Sequence, residues 1–405
     1  MRYIAQITEN GPLSFRDGRD TVSASTLQYV PGSALLGSLA ATHTLLRQDE
    51  VQFNDFFLSK ESSFGNLYPS SFEHDDLADE TDPVYPLPTT ARSCKRFSGF
   101  TLDEDDPSNV HGVFDALIPW TLFALSSQTD TKVLSQIKDC PVCGEPLDRL
   151  DGFYRRNAFD IQAMGKARIE LGLQTRTGIN RATGTVQQRI LYSREVLGSG
   201  TTFWGRLTVP DEQAESFSQF VQDANKNDVL HLGNNRTRGL GRVRLLLVET
   251  DKSDSIQSLE TRIQTFDTDL RKQAQAQNIE TPHKLYLPLT LTSDVILFDR
   301  LLRYRTAITA DYLTEIWNIA GAKLIYQNSY TRRIMGWNNL WRLPKPDDVA
   351  IAKGSVFLFG LAAPLDDDLL QTLLRMQTEG IGSRRREGFG RLLVASPFHW
   401  EVKGQ

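Results

Sequence analysis

One pattern constrains this chain more than any other: a glycine loop that occurs twice. His231 to Leu245 reads His-Leu-Gly-Asn-Asn-Arg-Thr-Arg-Gly-Leu-Gly-Arg-Val-Arg-Leu, with Gly233, Gly239 and Gly241. The same spacing, Gly-x5-Gly-x-Gly, returns at Gly382, Gly388 and Gly390, inside Gly380-Ile-Gly-Ser-Arg-Arg-Arg-Glu-Gly-Phe-Gly-Arg391. Glycine reaches positive φ without steric penalty and lets another backbone come close. Each loop follows an amphipathic stretch. Ala214, Phe217, Phe220, Val221 and Ala224 share one helical face before the first, and Leu365, Leu369, Leu370, Leu373 and Leu374 share one before the second. Apolar strand-like runs follow, Val243 to Val248 and Leu392 to Ala395. The chain therefore reads as two copies of one unit.

Neither loop fits the dinucleotide fingerprint or the P-loop, because both of those place their glycines after a strand and before a helix. A nucleotide cofactor is disfavoured. What the loops do carry is arginine: Arg236, Arg238 and Arg242 in the first, Arg384, Arg385, Arg386 and Arg391 in the second. Planar guanidinium forks bind phosphate bidentately, so the expectation is a pair of phosphate-binding loops; ordinary surface turns are the alternative.

Charge distribution agrees with a local nucleic-acid site. The formal net charge of -5 argues against binding through the whole surface. Yet Leu171 to Arg194 and Leu230 to Val248 contain no Asp or Glu, while acid is gathered at Glu73 to Asp82 and Asp103 to Asp106. Within the first of these stretches, Thr177, Gly178, Asn180 and Arg181 open a long loop expected to cross RNA as a thumb, with Tyr192 available to stack; a mobile connection is the alternative. No run is apolar enough to cross a bilayer and the start lacks a signal-peptide pattern, so the reading is cytoplasmic with no membrane partner.

The chain has three cysteines, which makes a disulfide framework improbable. Cys140-Pro-Val-Cys143 has the spacing of a zinc knuckle. Cys94 and His111 are the expected further ligands, with His74 in reserve. Such a zinc would staple a stretch too polar to build its own core; a metal-free turn with a buried Cys94 is the alternative.

Length and element order set the fold class. With 405 residues there is room for two domains. Met1 to Thr8 reads as a strand, and Pro31-Gly-Ser33 opens a helix with Ser33 as N-cap and Leu35, Leu36, Leu39, His43 and Leu46 along one face. Periodicity is lost over about 70–165, taken as an insertion into a first domain of residues 1–250. Residues 251–283 read as a polar connection and 284–405 as a second domain, with strands near Leu285 to Leu297, Leu324 to Ser329 and Ser355 to Gly360. The class is α+β: two ferredoxin-like (RRM-like) domains, each an antiparallel sheet covered on one side by two helices, with a zinc-knuckle-bearing insertion in the first. The uncovered faces are expected to meet single-stranded RNA.

Pro31-Gly-Ser-Ala-Leu-Leu-Gly37, Thr177-Gly-Ile-Asn-Arg-Ala-Thr183 and the two glycine loops together resemble the RAMP superfamily of CRISPR-associated proteins. With the Cys-Pro-Val-Cys insertion and Leu191-Tyr-Ser-Arg-Glu-Val196, the chain is similar more narrowly to the type III-D effector subunit that caps the crRNA. The resemblance implies a non-catalytic subunit holding the repeat-derived 5′ handle of a crRNA. It would contact the large polymerase-like subunit and the first backbone subunit, with target RNA in the assembled complex. In such proteins the first helix usually begins Pro-Gly-Ser-x-x-Arg-Gly. Here Leu36 stands at the arginine position, which counts against a phosphate contact there.

Some RAMP endoribonucleases use a histidine near this helix as general acid or base. His43 occupies that region, and a precursor-cutting enzyme is the alternative function. Its place beside Leu39 and Leu46 suits a core histidine better. His74-Asp75 lacks companion histidines and reads as a solvated run. Trp337, Trp341 and Tyr330, near Arg332 and Arg333, form either a stacking platform or ordinary sheet surface.

Overall fold

The computed structural model describes residues 1–9, 11–16, 25–70, 84–100, 110–126, 138–155, 165–167, 169–179, 186–198, 200–250, 254–338 and 343–402. Helix and strand are mixed throughout, as the class α+β requires. In the first half the elements are β1 (Arg2–Glu9), α1 (Gly32–Leu46), β2 (Ser63–Phe64), β3 (Tyr68–Ser70), a hairpin of β4 (Leu171–Ile179) and β5 (Val186–Leu197), β6 (Thr202–Thr208), α2 (Ala214–Lys226) and β7 (Val243–Glu249). The sheet runs β7-β1-β6-β2, with β3 also on β6 and all neighbours antiparallel.

Period-2 alternation explains which way this sheet faces. Tyr3, Ala5 and Ile7 of β1 point one way and pack with Leu35 and Leu39 of α1 and Phe217 and Phe220 of α2. Register carries the same face across the sheet, since Tyr3 opposes Leu207 and Ile7 opposes both Phe203 and Leu245.

The second half repeats the order. After α3 (Ile256–Ala276) come β8 (Leu285–Leu291), α4 (Ala310–Trp317), β9 (Ala322–Asn328), β10 (Val356–Leu361), α5 (Asp367–Glu379) and β11 (Leu392–Val394). The sheet is β9-β10-β8-β11, again antiparallel throughout. Leu287, Leu289 and Phe357 meet Leu313 of α4 and Leu370 and Leu373 of α5.

Two sequence expectations are corrected here. The 251–283 stretch is no plain connection, because α3 buries Leu259, Ile263, Phe266, Leu270 and Ala274. Their spacing of four, three, four and four is that of one helical face; Gln- and Asp-rich remaining faces obscured it. Nor is the outer face of the second sheet free for RNA. Tyr286, Val356 and Leu358 on that face pack against Phe266 and Leu270 of α3 and against Leu117, Ile118 and Leu122 of the helix Leu117–Leu125. All seven residues of β8 are buried.

That last helix lies between β3 and β4 in the chain, yet it serves the other half. Trp120 stacks on Tyr326 of β9 with centroids 6.1 Å apart and planes 10° apart. Thr89 donates its hydroxyl to the Asn328 carbonyl at 2.7 Å, and Gly354 brings its carbonyl to the Thr89 N–H, also at 2.7 Å. His399 stands between Asp115 (2.9 Å) and Thr290 (2.6 Å); His399, Thr290 and the Asp115 side chain are buried. The long excursion is thereby clamped to the second sheet.

Candidate nucleic-acid interface and metal cluster

The two glycine loops are one backbone shape built twice. Gly233 and Gly382 have φ of 78° and 76°, Asn235 and Arg384 of 59° and 56°, Gly239 and Gly388 of 80° and 90°, Gly241 and Gly390 of 91° and 81°. Between the middle pairs each loop closes one 3-10 turn, Arg236–Arg238 and Arg385–Glu387. Each lies on the segment that follows the first strand of its half. Gly241 and Asn234 donate backbone N–H groups to Pro12 and Ser14 at 3.1 and 2.9 Å; Gly390 and Ser383 donate to Asp294 and Ile296, both at 2.9 Å.

This geometry gives the glycines a reason different from phosphate approach. A Cβ on Gly233 or Gly382 would stand 2.5 or 2.3 Å from a carbonyl oxygen of that neighbouring segment. On Gly241 or Gly390 it would stand 2.3 or 2.0 Å from the oxygen of Leu232 or Ile381. The loops are close-packed joints, and their arginines are what differ in exposure.

In the first loop Arg236, Arg238 and Arg242 are exposed, as is Arg244 in β7. Arg236 bonds back to the Gly233 carbonyl (3.3 Å) and Arg242 pairs with Asp228 (2.9 Å), both partners about half exposed in that pair. The hairpin joins this loop: Arg176 of β4 donates to the Arg238 carbonyl at 3.3 Å. Its base is fastened by Leu13 and Leu197, which exchange N–H groups at 2.8 and 3.2 Å. Thr177 pairs with Leu191, and Gly178 sits where the register shifts before Ile179, a bulge that glycine accommodates. Tyr192 opposes Arg176 in the ladder. Asn180 and Arg181 lie outside the described residues.

In the second loop most of the charge is already engaged. Arg384 reaches Asp348 and Glu387, each at 2.7 Å, and lies over the Phe389 ring at 4.7 Å. Glu387 also takes Lys345 at 3.3 Å. Burial raises the Glu387 carboxyl, but Arg384 and Lys345 outweigh it and hold the group below the usual carboxylate range. Arg385 is half-exposed and near Glu379 (3.5 Å), while Arg386 is partly buried. Arg391 turns into the seam between the halves, donating to the Thr378 carbonyl at 2.6 Å and to the Ser63 hydroxyl.

The start of α1 is corrected as well. Pro31, not Ser33, is its N-cap, and no side chain caps from that position; the Asn66 carboxamide accepts the Gly32 N–H at 2.9 Å instead. A Cβ on Gly32 would lie 2.7 Å from the Glu387 carbonyl oxygen and 2.1 Å from that of Phe64. The second glycine loop therefore covers this helix end, and Ser33 sits half-buried one residue further in.

His43 is fully buried. Its ring is ringed by Phe53, Phe56, Phe57 and Phe220 at centroid distances of 5.9, 5.6, 5.8 and 5.3 Å, and its Nε2 meets Gln52 Oε1 at 2.9 Å. His74, Asp75 and Trp341 lie outside the described residues. Trp337 is exposed, Tyr330 receives Arg149 over its ring at 4.9 Å, and Arg332 and Arg333 pair with Asp294 (3.5 Å) and Asp347 (2.7 Å).

The four expected ligands do come together. Cys94, His111, Cys140 and Cys143 have ligand atoms all within 4.8 Å of one another, three of the residues buried. Cys94 ends the strand Ala91–Cys94; the knuckle turns through Gly144 (φ 73°), with the Gly144 N–H on the Cys140 carbonyl at 2.8 Å. Burial raises the Cys94 thiol, but backbone N–H groups of Phe97 and Arg96 and the neighbouring thiols bring it down on balance. Spacing pointed to Cys140 and Cys143, and a place in the same insertion to Cys94 and His111. Arg2 and Arg206, which the seam brings together, carried no local signal beyond their parity in the strands, and Asn66, between two strands, carried none.

A family model for the RAMP superfamily matches residues 168–244, which take in the hairpin, β6, α2 and the first glycine loop. Among solved structures, a chain of the type III-B Cmr-beta complex bound to cognate target RNA and AMPPnP is 14% identical, over 88% of this chain and 86% of that one, with TM-score 0.42. A chain of the Csm3-Csm4 subcomplex of the type III-A CRISPR-Cas interference complex is 11% identical over 91% and 96%, TM-score 0.36. Oligomeric Cmr4 from Pyrococcus furiosus is 14% identical over 61% and 98%, TM-score 0.26. A search of the curated proteins finds no match. No helix among the described residues is long and apolar enough to cross a membrane.

Proposed function

With residues 168–244 a RAMP-superfamily segment, we propose that this chain is a non-catalytic RNA-binding subunit of a type III CRISPR complex, made of two ferredoxin-like domains. In the III-D reading it holds the 5′ handle of the crRNA, beside the large polymerase-like subunit and the first backbone subunit. One observation carries the proposal. The acid-free hairpin and the first glycine loop meet through the Arg176–Arg238 contact, forming a face with Arg236, Arg238, Arg242 and Arg244 exposed. Exposed guanidinium groups on a rigid, close-packed joint suit a phosphate backbone. The second loop contributes less, because Arg384 is held by two carboxylates and Arg391 lies in the seam.

The buried His43 favours binding over cleavage. A general base needs hydrogen-bond reach of its substrate, and this ring is enclosed by phenylalanines. The test uses the purified chain and labelled repeat RNA. The proposal expects a shifted complex without cutting, and a double Arg236→Gln, Arg238→Gln variant that binds more weakly with a shallower salt dependence, by roughly 0.7 in log–log slope per charge removed. Specific cutting that His43→Ala abolishes would establish the precursor-processing alternative instead.

The proposal includes a structural zinc. Tetrahedral zinc with Zn–S of about 2.3 Å and Zn–N of about 2.1 Å requires S···S and S···N edges of roughly 3.8 and 3.6 Å. The Cys94–Cys143 and Cys140–His111 distances are 3.7 and 3.5 Å. Two thiols joined as a disulfide would be far closer. Elemental analysis of the purified chain is expected to give one zinc per chain, reduced in Cys140→Ser; a metal-free chain of unchanged stability would exclude it.

A further inference from the structure

The seam between the two sheets contains a cleft of about 150 Å³ lined by three arginines from separate elements, Arg2, Arg206 and Arg391. Strand register explains the first two. Arg2 opposes Thr208 and Ile4 opposes Arg206, so Arg2 and Arg206 are diagonal neighbours on the face away from Tyr3 and Leu207. Diagonal pairs stand about 7–8 Å apart, and like charges so placed repel. Arg391 is added from the other half, held by the Thr378 carbonyl at 2.6 Å and the Ser63 hydroxyl.

Among the described residues that line the cleft, the three arginines face a single carboxylate. The carboxylate that lines the cleft, Asp254, is taken by Arg262 at 2.8 Å and by the Gln377 amide. Burial, and then Arg206, Arg385 and Arg2, push the Arg391 guanidinium down to about 10. Three cations gathered from two sheets around one void favour an anion there. The void is several times a water's share of about 30 Å³, room for one tetrahedral oxyanion. Asn66, Thr292, Leu392 and Leu393 are also in the lining.

We propose that this cleft binds a phosphoryl group, with the Arg2, Arg206 and Arg391 guanidiniums as its donors, and that the bound anion joins the two halves. The group can be a free phosphate or part of an RNA strand; the second source rests on the function proposed above, the first does not.

The test measures thermal stability and calorimetric binding of the full chain with inorganic phosphate, then with one oligoribonucleotide carrying or lacking a 5′ phosphate. Phosphate is expected to raise Tm, and Arg206→Gln, whose side chain is exposed and leaves the core untouched, to weaken its binding about tenfold. Arg2→Gln is the second variant, so the proposal does not hang on Arg391→Gln folding. Phosphate that competes with the oligoribonucleotide marks the strand as the source; phosphate binding without competition marks the free ion. The Arg236→Gln, Arg238→Gln protein keeps the phosphate response even if RNA binding fails. Absence of a phosphate response, or one that Arg206→Gln and Arg2→Gln leave unchanged, overturns the proposal.

Discussion

The glycines separate two jobs that the chain pattern runs together. Gly390 has φ of 81° and no room for a methyl group, with the Ile381 oxygen at 2.0 Å from a built Cβ. Gly239 has φ of 80° and nothing within 4 Å. Alanine at 239 should therefore cost only the left-handed strain, about 1–2 kcal/mol. Alanine at 390 adds a backbone clash and should cost clearly more, roughly 3 kcal/mol or above. Urea denaturation of the two variants measures the difference; equal losses would mean that the joint is looser than its contacts suggest. The spacing of these glycines was plain in the sequence; their packing role was not, because the carbonyls that Gly233 and Gly382 approach, on Ser14 and Ile296, lie far away in the chain. The metal cluster was legible for the opposite reason. Cys140-x2-Cys143 is a local signature, and the candidate ligands Cys94 and His111 lie in the same insertion.

At the scale of elements, loops and helices are fixed by partners that the local pattern does not name. The second glycine loop packs over the start of α1, with Glu387 held by Arg384 and Lys345. Since the folded carboxyl lies below its ordinary value, its contribution is present above the unfolded carboxylate pKa and fades as pH falls through the folded one. Glu387→Gln should flatten the loss of stability between neutral and acid pH, read by denaturant titration at several pH values; an unaltered slope would assign the acid sensitivity elsewhere. The clamp on the second sheet is testable too. Removing the imidazole with His399→Ala leaves the Asp115 carboxylate buried without its 2.9 Å partner, a loss on the order of 3 kcal/mol. A cost near zero would show that solvent reaches Asp115. The face covered by this clamp and α3 could not be anticipated, because the helix Leu117–Leu125 comes from a stretch whose acidic and proline-rich surroundings read as loop, and α3 from one that read as a polar connection.

For the whole molecule, the two halves share one strand order yet face different neighbours. The second sheet spends its outer face on α3 and on the helix Leu117–Leu125, and exposed arginines of that half such as Arg303 and Arg333 are paired with Asp299 and Asp347. Segregated charge was visible in the sequence; which arginines stay exposed was not, since the pairing of Arg384 and the inward turn of Arg391 depend on the assembled seam. The central claim is that RNA lies along the hairpin and the first glycine loop. Ultraviolet crosslinking of the bound complex, with the modified peptides read by mass spectrometry, tests it most directly. Adducts within 174–194 and 231–244 are the predicted result; adducts confined to the second half, or none at saturating RNA, would contradict it.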